Sequence, residues 1–320
     1  MAPKRFAWAT GSTATLAGFF LLCILLAVGA MRSDLFPDMS RSSVPQMERE
    51  AVPFSLFAVT AISMSLFRKS QRPRGRHLWA AVLIGLGLFV VPALLVFLAR
   101  DWISSLTRVA LISLVPVFAV VLEPHIASAE NRTSPSKTLL LGALAAVLGT
   151  LCVFPLAIPD SIQTGAAFAA VIGSAACVAA ANCYAVRIAS ESPAHSFISI
   201  AAIAGATAAV GLIIATALTG GLTLQPSTLA SELGWSAIIS VPGLFLLFWL
   251  MSRMSATRMT ARFVLAPLFA ILFSSALEHP KIEVRIYLGL LLIAGGAGWI
   301  LFAPDENPDT ASPLSLHREQ

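Results

Sequence analysis

The sequence predicts an all-α, polytopic membrane protein of about ten transmembrane helices arranged as two inverted five-helix repeats. Three observations carry that expectation. Hydrophobic residues make up 57% of the 320-residue chain and charged residues only 12%, where an ordinary soluble chain holds roughly 45–50% and 25%. Apolar runs of helix length recur from end to end, each able to cross roughly 30 Å of hydrocarbon. One of these runs occurs twice, as SSLTRVALISLVPVFAVVLE from Ser104 and as SATRMTARFVLAPLFAILFS from Ser255. Aligning Pro116 on Pro267 also matches Ser104 with Ser255, Leu114 with Leu265, Phe118 with Phe269 and Ala119 with Ala270.

Taken in order, the spans are read at about 9–30, 51–67, 78–99, 103–126, 138–157, 165–186, 195–219, 234–252, 256–277 and 286–303. The basic start, apolar run and small-residue end of the first 30 residues also fit a secretory signal. That run is long and the chain continues as a polytopic protein, so it is taken as the first span. Pro116 and Pro267 are read as helix kinks, because an interior proline removes a backbone hydrogen bond, which neighbouring helices can compensate inside a bilayer. The segment 304–320 is polar and proline-bearing, as expected of a disordered tail.

Charge orients the chain. With the N-terminus inside, the inner segments hold Lys4, Arg5, Arg68, Lys69, Arg72, Arg74, Arg76, Arg132, Lys137, Arg187, Arg253, Arg258 and Arg318, against Arg32, Arg41, Arg49, Arg100, Lys281 and Arg285 outside. This excess predicts N- and C-termini in the cytoplasm, and the reading points to a bacterial inner (plasma) membrane. The formal charge of +5 sits in short loops between apolar runs, and no aromatic residue interleaves the dense 68–76 cluster, which argues against a nucleic-acid partner. The expected partners are the lipid bilayer and a small-molecule substrate. Monomer and homodimer both stay open. Cys23, Cys152, Cys177 and Cys183 lie within apolar runs and read as buried hydrophobes, with no metal spacing. No metal or other cofactor is expected.

The duplication extends past one helix. LGALAAVLG carries Gly142 and Gly149, LGLLLIAGG carries Gly289 and Gly296, and both pairs are seven apart, as expected of helix-packing positions. Pro45 and Pro193 precede the second and seventh runs at similar places. Two halves of five spans must enter the membrane from opposite sides, giving a first repeat over 1–157 and a second over 165–303, with 304–320 as a cytoplasmic tail. Inverted repeats recur in secondary transporters, where the two bundles alternate between outward-open and inward-open arrangements. The bland alternative is a duplication kept as scaffold.

At these residues the chain resembles the EamA-type permeases of the drug/metabolite transporter (DMT) superfamily. The resemblance rests on the proline helices SLVPVFAVV and VLAPLFAIL, the loops SAENRTS and LEHPKIE in the place of a Gly-Glu-Arg-like loop, the two glycine helices, and the sixth run ending CVAAANCYAVRIA. It implies ten spans and proton- or gradient-coupled movement, or exchange, of a small metabolite through a cavity lined by both repeats, and an amino acid or other organic anion is one class of solute expected here. Rival classes are a non-transporting membrane sensor or scaffold and a membrane enzyme. The enzyme reading is disfavoured, since the five histidines are scattered singly and no hydrolase, zinc or phosphate-loop motif occurs.

Charge inside a span costs about 2.5–3.5 kcal/mol at mid-depth, which singles out Arg108, Glu123, Arg258 and Arg262. Arg108 and Arg262 are read as shallow, one from each side, either anchored at the interface by snorkelling or placed along the pathway to attract a carboxylate or phosphate. Arg258 is placed at the inner surface. Glu123 and His125 are proton-coupling candidates, or wet groups at a helix end. Asn182, Tyr184 and Trp249 are substrate-pathway candidates, with an interfacial belt role as the alternative for Tyr184 and Trp249.

Overall fold

The computed structural model describes residues 13–31, 46–67, 73–126, 136–156, 158–191, 194–219, 226–278 and 283–303, and these hold helices and turns with no strand among them. Residues 68–72, the SAENRTS loop, Pro45, Pro193 and the tail 304–320 lie outside the described residues. The helices are α1 (Thr13–Ala30), α2 (Gln46–Phe67), α3 (Arg76–Ala99), α4 (Ser105–Ile126), α5 (Lys137–Val153), α6 (Ile162–Glu191), α7 (Ala194–Thr219), α8 (Pro226–Trp235 continuing through Ser236–Ser240 and Val241–Met251), α9 (Ala256–Thr260 and Arg262–Glu278) and α10 (Val284–Phe302). Among the described residues nine helices are long and apolar enough to cross a membrane, and α5, with 17 residues, is a shorter apolar helix. The chain is a multi-pass membrane protein. Its outer surface carries Phe67, Leu141, Ile238 and Leu291, all more than half exposed, a pattern suited to lipid tails and unsuited to water.

Packing falls into related sets. The most extensive helix pairs are α2 with α7 and α5 with α10, while α6 packs on α3 and α4, and α1 packs on α8 and α9. At the centre, Phe57 of α2 is fully buried, stacked on Phe248 at 5.6 Å and edge-on to Phe245 at 4.8 Å, and Phe197 of α7 meets Phe248 at 6.0 Å. The α5–α10 contact is close because its glycines lack side chains. A Cβ on Gly149 would lie 2.7 Å from the Gly289 carbonyl oxygen, and one on Gly296 would lie 2.5 Å from the Gly142 carbonyl oxygen.

Three helices carry local departures that place polar groups. In α3 and α8 a π-helical turn, Leu86–Val90 and Ser236–Ser240, directly precedes Val91-Pro92 and Val241-Pro242. Pro92 and Pro242 cannot donate backward along the helix, and the turn before each one widens to i→i+5 bonding. The helix α4 is broken at Ser113–Leu114, so that Pro116 is the second residue of a new segment, where a missing N–H costs little. In α9 the break falls at Ala261, well ahead of Pro267, which sits inside the second segment. The cause is side-chain competition for backbone carbonyls. Thr260 Oγ1 donates to Thr257 O at 2.7 Å, Arg262 Nη1 donates to Met259 O at 2.8 Å, and in α4 Ser113 Oγ donates to Ala110 O at 2.6 Å.

Candidate functional site

Arg262 opens the second segment of α9 and is buried, 4% exposed. Its side chain is therefore enclosed by protein. The reason is that α9 starts inside the protein: Ala256, Thr257, Met259 and Thr260 are all buried. The guanidinium is held on two sides, by Met259 O and by Asn182 Oδ1 of α6, which accepts from Nη2 at 3.0 Å. It also lies over the Phe263 ring, with Cζ 4.4 Å from the centroid. Asn182 is fully buried and its Nδ2 donates to Val178 O at 2.7 Å. That bond turns the amide so that its oxygen faces Arg262. Both of Arg262's acceptors are neutral, and among the described residues no carboxylate pairs with it. Two of its five N–H donors are used by these bonds.

A second polar junction lies at the start of α9. Glu123, near the end of α4, accepts from Ala256 N and Thr257 N, each at 3.0 Å, and from the Thr257 hydroxyl. Its carboxylate caps the first turn of α9, where free N–H groups and the helix dipole favour negative charge. Ser255 caps the same turn, and Ser104 caps α4 in the same extended conformation, with its Oγ accepting from Thr107 N at 3.1 Å. The junction continues on both sides. Arg187 of α6 donates to Ile126 O at 2.9 Å and to Glu191 at 2.9 Å, Arg76 of α3 reaches Glu191 at 3.4 Å, and Arg258 donates to Ala303 O of α10 at 2.8 Å. The ends of α4, α6 and α10 and the starts of α3 and α9 thus share one polar face.

The remaining sequence candidates do not gather at Arg262. Arg108 is half-buried and its Nη1 donates to the Arg100 and Ile103 carbonyls at 3.1 and 3.2 Å, closing the end of α3. His125 is exposed, with Nδ1 at 2.8 Å from Val121 O. Trp249 packs over Gly18 and lies 5.4 Å from the Arg253 guanidinium carbon, and Tyr184 is half-buried against the main core. Sequence reading named Asn182 and Arg262 separately and did not pair them, and it missed Thr257 and Arg187. The only available signal for that pairing was the cost of each buried polar group, which demands a partner without saying which.

Fold and site together define a multi-pass helical membrane protein with a buried cation and a polar junction between helix ends. No family model matches the sequence, and no curated protein matches it. Among solved structures, one described only as a protein crystal structure matches with a TM-score of 0.71 at 18% identity, covering 92% of this chain and 99% of that one. At that identity the likeness is one of fold.

Proposed function

We propose that this protein is a secondary-type transporter of EamA-like, two-repeat architecture that moves a small organic anion by alternating access. The observation that carries the reading is Arg262, a buried guanidinium whose acceptors are both neutral. A charge in a membrane interior is costly, and such residues mark substrate and ion pathways by default. The two-repeat arrangement is supported by helix pairing that stays the same when each helix is exchanged for the one five places along: α2 with α7, α5 with α10, and α1–α9 for α6–α4. The matching serine caps at Ser104 and Ser255, and the matching π turns before Val91-Pro92 and Val241-Pro242, support it too. Glu123 ties a helix of the first half to one of the second, as a gate between rocking bundles would require.

Purified protein in liposomes loaded with pooled amino acids, keto acids and other small carboxylates should show counterflow of at least one anion. Arg262→Gln should reduce that flux at least about tenfold, the factor produced by losing ~1.4 kcal/mol of binding, while Arg108→Gln should leave it within about twofold of wild type. Absence of flux for every solute, with a bound partner instead, would favour the sensor or scaffold reading.

A further inference from the structure

We infer that Arg262 and Asn182 form an anion site selective for a ligand carrying a single negative charge. The inference rests on the reading of Arg262 as a pathway residue and adds a rule for what it accepts. The pair is desolvated, with Arg262 4% and Asn182 0% exposed. Its only formal charge is the guanidinium, because the amide contributes a neutral oxygen at 3.0 Å. Glu123, the carboxylate tied to the start of the same helix, is engaged by two backbone N–H groups and a hydroxyl. The buried thiol of Cys23 is a further ionisable group within electrostatic range of Arg262.

In a low-dielectric site the total charge governs occupancy. A neutral ligand leaves the guanidinium uncompensated, and a dianion leaves a buried negative charge. A monoanion brings the sum to zero while making charge-assisted hydrogen bonds to the donors that Met259 and Asn182 do not use. Asn182 is then a specificity-determining residue. Its Nδ2 bond to Val178 O fixes the oxygen toward Arg262, so it orients the guanidinium without cancelling its charge. An aspartate in the same place would supply the missing charge from within and exclude the ligand.

The test compares Asn182→Asp with Asn182→Leu in the full-length purified protein. Both lose the donation to Val178, so the difference between them reads charge. At pH 8 without added anions, Asn182→Asp should melt several degrees above Asn182→Leu and at or above wild type. If Asn182→Asp melts at or below Asn182→Leu, or fails to fold where Asn182→Leu folds, Arg262 is already balanced and the inference falls. Four probes at high millimolar concentration then read the ligand rule: acetate and benzoate as monoanions, succinate as a dianion and acetamide as a neutral solute. A monoanion should raise the melting temperature of wild type, with succinate and acetamide giving no comparable shift and Asn182→Asp none at all. No shift by either monoanion, or an equal shift by succinate or in Asn182→Asp, overturns the assignment, and the wild-type series decides alone if neither variant folds. Counterflow of other solutes in liposomes would leave transport standing even then.

Discussion

Arg108 and Arg262 carry the same side chain on helices of the same motif, and what separates them is the set of atoms around each guanidinium. Arg108 satisfies the loose carbonyls at the end of α3, a position where a cation also favours the helix dipole. Replacing it by glutamine should cost about 0.5–1 kcal/mol of stability, seen as a small drop in melting temperature with flux per folded molecule retained. Arg262 also has only neutral acceptors, but it differs in being buried, 4% exposed. Both arginines were legible in the sequence as anomalies, since charge in an apolar run is conspicuous in any chain. Their surroundings were not, because residue counting along a span says nothing of what packs against it. The first turn of α9 is buried under the Glu123 carboxylate, and only tertiary packing can tell that.

At the scale of elements, the glycine spacing of α5 and α10 was readable in the chain, and the structure puts those glycines against each other's backbone. Two neighbouring glycines of α10 give a controlled comparison. A Cβ on Gly296 would sit 2.5 Å from backbone atoms of α5, whereas one on Gly295 would meet nothing within 4 Å. Gly296→Ala should therefore destabilise the protein by about 1–3 kcal/mol through overpacking. Gly295→Ala should be neutral or stabilising by up to about 1 kcal/mol from helix propensity. Parallel thermal unfolding of the two variants measures the difference. The contact of Glu123 with α9 makes a similar prediction. Glu123→Gln keeps the length but replaces charge-assisted acceptors, and should cost about 1.5–3 kcal/mol, with protease sensitivity rising at the α8–α9 turn. Neither the π turns nor the break at Ala261 could be read from the sequence. Both depend on which side chain or proline competes for a carbonyl, and apolar periodicity is silent on that.

For the whole molecule, the question that decides between an inverted and a non-inverted arrangement is whether α5 crosses the bilayer. Its 17 residues span about 26 Å at 1.5 Å per residue, short of the hydrocarbon thickness but within the range of spanning helices. It runs antiparallel to α10, with Gly142 against Gly296 and Gly149 against Gly289, so the two share their depth. The polar face bears on this more directly. Arg187 at the end of α6 donates to Ile126 O at the end of α4 at 2.9 Å, so those two ends lie on one side. Only α5 and α6 separate them in the chain. On the proposed two-repeat reading α6 crosses once and α5 crosses as well to bring the chain back to the same side, which would make ten crossings and halves of opposite orientation. Alkaline phosphatase, active only outside the cytoplasm, can be fused after Pro159 in the α5–α6 turn and, separately, after Gln320. The expected outcome is activity for the Pro159 fusion and none for the Gln320 fusion. An inactive Pro159 fusion together with an active Gln320 fusion would mean that α5 does not cross, and the inverted repeat would fall with it.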